Sequence, residues 1–310
     1  MVASRILGII VTYFPTSEGL LPLLQSLDSQ VTALLIIDNT SREDDRITQM
    51  LGQFGSGGGD LRVLRVGKNI GIGAAQNIGL EVALAEQFDC ALLCDQDSIP
   101  AAGMVAALCD CRDRLRAQGI SVGCVCPEYF DQTTRQAFPF QIKQGGRVFY
   151  STVSGESARP WIEIITTISS GTLIPCNALQ QVGLMREEFF IDHVDTEWCH
   201  RARARGFRLF GTALTRLEHR LGDAPFSVWY FGWHKHSEYS PTRLYYRFRN
   251  FVLLCQLPHV PLRWTIRASW YWAGNLYAHT LFSRSKLANA KAIVHGLWDG
   301  ILGKSGRLGS

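Results

Sequence analysis

The chain has 310 residues, 46% of them hydrophobic, a mean hydropathy near zero and a net charge of +4. That composition excludes a disordered or fibrous chain and allows one large domain or two. No apolar run reaches the length of a membrane-spanning helix, and the start shows no secretory pattern, so the expectation is a cytoplasmic protein.

The first half alternates. Ile6–Thr12 is an apolar strand, and the leucines at 20, 21, 23, 24 and 27 give Gly19–Gln30 a helical spacing. Ala33–Asp38 reads as a strand, Arg42–Phe54 as a helix, and Gly55–Asp60 as a loop. Leu61–Val66 is a third strand, Ala74–Gln87 a helix, and Ala91–Cys94 a fourth strand. Alternating strands and helices with short connections imply an α/β fold with a mostly parallel sheet covered on both faces. In such sheets ligands bind outside the carboxyl ends of the strands. Thr12, Asp38-Asn39, Asn69 to Asn77 and Asp95 to Asp97 all fall at those ends.

From about Gly123 the alternation weakens. Val122–Tyr129, Gln136–Gln141, Arg147–Val153, Ile162–Ile168 and Thr172–Pro175 read as strands, Asn177–Val182 and Thr196–Arg205 as helices. Beyond Pro241 the chain is helical, interrupted at Pro258 and Pro261. The nine cysteines are scattered without zinc-site spacing and read as reduced, mostly buried thiols. Residues 235–310 hold eleven Lys and Arg against two acids, +9, which leaves −5 on residues 1–234. A basic end on an acidic body suits an anionic partner.

Four constellations carry chemistry. Asp95 and Asp97 close an apolar strand two residues apart, a placement that suits Mg²⁺ or Mn²⁺ shared with substrate phosphates and equally a turn with two solvated acids. Asn69-Ile-Gly71-Ile-Gly73-Ala-Ala-Gln-Asn77-Ile-Gly79 is a glycine-rich loop entering a helix. It lacks P-loop and dinucleotide spacing, and reads as a loop touching a nucleotide from the side, with Gly79 packing helix on sheet. Asp192, Asp195 and Glu197 surround a helix start, where one of them can act as general base or all can serve the helix dipole. Beside them Trp198 offers a sugar-stacking face or a core residue, while His219 near a strand end offers a metal ligand.

In this order the motifs resemble the inverting nucleotide-sugar glycosyltransferases of family 2, and among them most the bacterial dTDP-rhamnosyltransferases of envelope polysaccharide synthesis. They are Val11-Thr12-Tyr13-Phe14-Pro15, Ile37-Asp38-Asn39-Thr40-Ser41, the 69–77 loop, Asp95-Gln96-Asp97, Ser170-Gly171 and Phe190-Ile-Asp192-His-Val-Asp195-Thr-Glu197-Trp198. The resemblance covers roughly residues 5–255. It implies a GT-A (Rossmann-like) catalytic domain over 1–235, with a nucleotide-sugar half at 1–122 and an acceptor half at 123–235. A helical region, 236–310, follows.

The resemblance implies that Thr12, Tyr13, Asp38, Asn39, Asn69, Gly71, Gly73, Asn77, Asp95 and Gln96 surround the nucleotide sugar. Asp97, with Asp95 and His219, would hold Mg²⁺ or Mn²⁺. Asp195 would be the base, with Asp192 or Glu197 sharing the role because Val194 stands where the family has Glu. Gly171 and Trp198 would meet the acceptor. The donor would be dTDP-β-L-rhamnose, or a UDP- or GDP-sugar in a relative of the same fold. The acceptor would be a lipopolysaccharide, O-antigen or lipid-linked glycan. The basic, aromatic 241–310 stretch suits an anionic inner-membrane surface, core packing or a homodimer face. No nucleic-acid partner is expected; a non-catalytic nucleotide- or nucleic-acid-binding protein is the rival of another class.

Overall fold

The computed structural model describes residues 4–41, 45–54, 60–131, 136–145, 147–219 and 225–309; the side chain of His219 is not described. The expected helix start at 42–44 and the 55–59 loop therefore lie outside the described residues.

The N-terminal half alternates as the apolar pattern implies. Its elements are β1 (Ile6–Thr12), α1 (Ser17–Leu27), β2 (Ala33–Ser41), α2 (Arg46–Phe54), β3 (Asp60–Gly67), α3 (Ile72–Ala85) and β4 (Cys90–Asp95). β3, β2, β1 and β4 lie side by side and parallel. β1 is buried along its whole length, as a strand covered on both faces must be. Gly79 lets α3 lie close on the sheet: a Cβ there would sit 2.5 Å from Ile9 Cγ2.

A short β5 (Ile99–Pro100) leads to α4 (Met104–Ala117). The alternation reading does not include α4, although its buried positions 104, 108, 111 and 115 keep helical spacing. Then come β6 (Val122–Asp131), β7 (Gln136–Ala137), β8 (Phe140–Gln144), β9 (Arg147–Ser151), β10 (Trp161–Ile164) and β11 (Thr172–Pro175). The acceptor-side strand expected at Gln136–Gln141 is thus two strands, and Ile162–Ile168 is extended only at its start. The sheet is mixed, because β11 runs antiparallel between β4 and β6. α5 (Cys176–Val182), α6 (Val194–Ala204) and β12 (Arg208–His219) follow, with β12 parallel to β6. A hairpin, β13 (Pro225–Trp229) and β14 (Trp233–Ser237), precedes the C-terminal helices.

Those helices are α7 (Pro241–Cys255), α8 (Leu262–Leu281) and α9 (Lys286–Ile301). Ser240 caps α7 by accepting a bond from the Arg243 N–H, with Pro241 in the first turn. Leu244, Phe248, Phe251, Trp264, Trp272 and Ile293 belong to the same hydrophobic core as the sheet. Much of α7 therefore points inward, which for this helix is the core-packing alternative among those expected of 241–310. Tyr245, Tyr246 and Arg249 are buried there. α9 lies directly against α7 through two glycines one turn apart, Gly296 and Gly300. Replacing Gly296 by Ala adds helix propensity but drives a methyl into the Tyr245 carbonyl oxygen. The expected net outcome is a loss of about 1–3 kcal/mol, read as a lower midpoint in urea unfolding.

Candidate functional site

The strand register brings three polar ends level. Thr12 lies opposite Asp38, and Val11 opposite Asp95. Thr12 is fully buried and its hydroxyl donates to Asp38 Oδ1 at 3.2 Å, an oxygen that also accepts from the Thr40 N–H. Beside this edge the Gln96 amide clamps the backbone of half-exposed Tyr13, accepting from its N–H and donating to its carbonyl. Asp95 is half-buried and Asp97 is exposed.

Several expected nucleotide contacts are spent on protein neighbours. Asn39 donates to Asn69 Oδ1 and accepts from the Ile70 N–H, so the two asparagines brace the glycine-rich loop. Gly71 has φ +89°, and a Cβ there would stand 2.6 Å from the Phe190 carbonyl oxygen. A Cβ on Gly73 would stand 2.9 Å from the Arg186 carbonyl oxygen. The loop glycines are thus required by a close approach of residues 186–190. Asn77 is buried and bonds both the N–H and the carbonyl of Met185 as well as the Glu187 carboxylate, which makes it a brace between the two halves.

The second wall is the turn before α6. Phe190, Asp192 and His193 all have φ between +61° and +65°. Non-glycine residues occupy that region at a cost, and only where surroundings hold them. Here the holders are explicit. The buried Asn250 amide on α7 donates to the carbonyls of Phe189, Ile191 and Asp192, at 2.7, 2.6 and 3.1 Å. From the other side the Ile72 N–H donates to the Phe190 carbonyl at 2.7 Å. Arg249, buried, adds a bond to the Phe189 carbonyl.

This turn sorts the three acids. Asp192 is held between Arg243 and Arg247, each at 3.3 Å. Glu197 is fully buried and bonds Arg201, Arg186 and His259, so it is a structural counter-ion removed from any substrate. Asp195 remains partly open, with Oδ1 accepting from the Thr196 N–H at 2.7 Å and Oδ2 from the Ser169 N–H at 3.2 Å. Burial raises its pKa to about 6, and the like charges of Asp95 and Asp192 act in the same direction. Backbone N–H donors oppose the rise without cancelling it. His193, desolvated against Trp272, is pushed down to about 4 and is neutral at physiological pH.

The Ser169-Ser170 turn ties the two acidic centres together. Ser169 bonds Asp195, while the Ser170 hydroxyl accepts from the Asp95 N–H at 3.0 Å and meets the Ser98 hydroxyl at 2.6 Å. Gly171, expected at the acceptor, is buried in this turn with φ +74° against Pro127 and Leu217. Trp198 is likewise a core residue, its indole N–H bonded to the Gly183 carbonyl. The aromatic wall comes from elsewhere. A cavity of about 840 Å³ is bounded by His193 and Thr196, which flank Asp195 in the chain although Asp195 itself does not line it, by Gln141 on β8, and by Trp264, Tyr271 and Trp272 on α8. Residues of α8 reach the site only through tertiary packing, and a helix pattern 70 residues downstream carries no sign of it.

Among the described residues no three His, Cys, Asp or Glu side chains converge on a common point. Asp95 and Asp97 at one strand end still fit a hard divalent cation, which takes one or two carboxylates and completes its shell with water and phosphate oxygens. The side chain of His219, the third expected ligand, lies outside the described residues.

A level row of polar strand ends with a carboxylate on the adjoining half marks a ligand crevice in an α/β fold. A family model for glycosyl transferase family 2 matches residues 9–173, more than half of the chain. The chain belongs to that family. It is 30% identical over 308 residues to dTDP-rhamnosyl transferase RfbF of Shigella flexneri, covering 98% of this chain and 97% of that protein. Its fold is similar to GalNAc-T7 solved with UDP, GalNAc and Mn²⁺, at a TM-score of 0.59 and 12% identity. That match covers 89% of this chain, which spans only 57% of GalNAc-T7. S. aureus TarS 1–349 in complex with UDP-GlcNAc matches with a TM-score of 0.57 and 18% identity, over 97% of this chain and 81% of that one. The GT-A-like fold expected from the motifs is therefore shown.

Two outcomes test the geometry. Asn250→Ala removes the donor to three carbonyls of a strained turn, and is expected to cost about 2–4 kcal/mol in chemical unfolding. Asp195→Asn works in the opposite sense. A carboxyl whose folded pKa is raised favours the fold less as pH climbs from its unfolded value near 4 through about 6. The Asn variant is therefore expected to be more stable than wild type by about 1–2 kcal/mol at pH 8, a gain that fades toward pH 4. Melting curves across that range check it.

Proposed function

We propose that this chain is a metal-dependent inverting rhamnosyltransferase. It moves L-rhamnose from dTDP-β-L-rhamnose onto a hydroxyl of a bacterial envelope glycan, lipid-linked or part of lipopolysaccharide. The observation that carries the transferase chemistry is Asp195. It is a partly buried carboxylate with a near-neutral pKa, coupled to Asp95 at the donor-side strand ends and flanked in the chain by His193 and Thr196, which line the aromatic cavity. The rhamnose and thymidine parts of the reading rest on the likeness to RfbF.

In this reading the edge formed by Tyr13, Asp38, Asp95 and Gln96 holds the nucleotide, with Thr12, Asn39, Asn69 and the loop glycines shaping it from behind. Asp97, with Asp95, would hold Mg²⁺ or Mn²⁺; such a cation supplies charge stabilisation to a departing diphosphate. The acceptor sugar lies in the aromatic cavity, with its hydroxyl toward Asp195. Asp195 takes the hydroxyl proton as the oxygen forms a bond to the anomeric carbon, and the bond from that carbon to the diphosphate breaks on the opposite face. The products are an α-L-rhamnoside, dTDP and a protonated Asp195, which returns its proton to solvent. Tyr129, Gln141 and Thr196 around the cavity offer hydrogen-bonding groups to sugar hydroxyls, and its indole and phenol rings offer stacking faces. All nine cysteines are unpaired, which suits a reducing, cytoplasmic compartment.

Asp195→Asn is expected to lower kcat about a thousandfold while dTDP binding is unchanged, and wild-type kcat/KM should fall on the acid side of about pH 6. Asp97→Asn is expected to abolish the stimulation by Mg²⁺ or Mn²⁺. An unchanged rate in Asp195→Asn would remove it as the base. Absence of a dTDP-induced thermal shift with either metal, alongside a shift with UDP or GDP, would replace the donor.

A further inference from the structure

Exposed apolar residues lie on α9 (Leu287, Val294, Trp298, Ile301) and, together with most of the exposed aromatic rings of the C-terminal region, on one hairpin and one face of α8. The tip of the β13–β14 hairpin reads Trp229-Tyr-Phe-Gly-Trp233. Phe231 is 100% exposed and Trp233 72% exposed, so neither contributes to the core. The tip is nevertheless well built. The Tyr230 N–H donates to the Gly232 carbonyl at 2.8 Å, and the Tyr230 hydroxyl donates to the Gly274 carbonyl of α8 at 2.7 Å. The hairpin is thus anchored on α8 with its aromatic tip turned outward.

The helix beneath it exposes apolar residues at a helical spacing: Leu262, Ile266, Trp270, Tyr277 and Leu281, with Gly274 at the gap where Tyr230 sits. Hairpin tip and helix face are therefore one continuous patch. Exposed cations accompany it: Lys235 on β14, Arg263 and Arg267 at the start of α8, and Arg284 and Lys286 just after its end. Among the described residues from 225 onward the acids are Glu238, which is partly buried, and Asp299, which is buried and paired with Lys304. The region thus shows exposed aromatics and cations with no fully exposed carboxylate. No helix among the described residues is long and apolar enough to cross a membrane.

We infer that the Trp229–Trp233 hairpin tip and the outer face of α8 form a docking surface for an anionic lipid bilayer. Charge complementarity selects this occupant. A protein partner of ordinary composition would leave the ring of cations unmatched, whereas anionic headgroups meet the cations while Trp, Tyr and Phe enter the interfacial layer. The patch is too short to span the bilayer and lies in its surface. It also reaches the catalytic side. Trp270, 79% exposed on the outer face, and Arg267 both line the 840 Å³ cavity. Docking places the mouth of that cavity at headgroup level, where the sugar of a lipid-linked acceptor lies. Only this last step rests on the proposed function; the docking itself does not.

The test is co-sedimentation of the full chain with vesicles of phosphatidylglycerol and phosphatidylethanolamine, against vesicles of phosphatidylcholine alone. Wild type is expected to bind the anionic vesicles and to release as salt is raised. The double variant Phe231→Ser/Trp233→Ser should bind about tenfold less, with its melting curve and dTDP binding unchanged, since both side chains lie outside the core. Lys235→Glu should weaken anionic binding while leaving phosphatidylcholine unaffected. Binding by the double variant equal to wild type, or no wild-type binding to anionic vesicles, overturns the inference. A wild-type dimer in light scattering that the double variant dissociates, without a change in vesicle binding, assigns the face to a second copy instead. Because dTDP binding is read in the same samples, loss of the enzymatic reading and loss of the docking surface are separable.

Discussion

The turn Phe190–His193 is the constraint on which the rest of the site depends. Three non-glycine residues there hold left-handed backbone angles, which the chain would leave if unsupported. The turn is fixed from two directions. Ile72 and the crowded Gly71 press on Phe190 from the nucleotide half, and Asn250 gathers three carbonyls from the C-terminal helices. Its consequence is the start of α6, and with it the position of Asp195 opposite Asp95. The glycine-rich loop, the Asp195 turn and α7 are thus joined through this one segment.

A second coupling joins the two halves of the sheet at the Ser169-Ser170 turn. Ser169 and Ser170 are adjacent, yet one bonds the Asp195 carboxylate and the other the Asp95 backbone. Two acids that repel each other are tied to a shared turn, one by a donor and the other by an acceptor. The repulsion is not wasted, because it adds to desolvation in bringing Asp195 toward neutral pKa. Asp192 sits between two arginines and Glu197 among three cationic or polar partners, so three neighbouring carboxylates occupy three different environments.

The architecture of the first half was legible for a physical reason. A central parallel strand must be apolar throughout, so Ile6–Thr12 and Ala91–Cys94 announce themselves. Strand ends in such a sheet are where polar residues meet ligand, which pointed to Asp38 and Asp95 without any coordinates. Glycine was less legible. Gly79 as helix–sheet packing follows from its position in a helix, but Gly71, Gly73 and Gly171 answer to partners more than 40 residues away in sequence. Side chains such as Trp198 and Asn77 were ambiguous because sequence spacing does not say which face of a helix is buried.

The C-terminal region shows the division most clearly. The sequence by itself determined that the chain beyond Pro241 is helical and that 235–310 is strongly basic and rich in Trp and Tyr, since composition and periodicity are local properties. It also determined the α/β order and the acids that close the strands. Only the tertiary structure decided which cations face inward. Arg247 and Arg249 turn to the Asp192 loop, whereas Arg263 and Arg267 remain outside. It also decided that α8 forms a wall of the cavity and that Glu197 is a fully buried counter-ion while Asp195 is only partly buried. Burial and partner choice arise from contacts between segments far apart in the chain, and no local pattern encodes them.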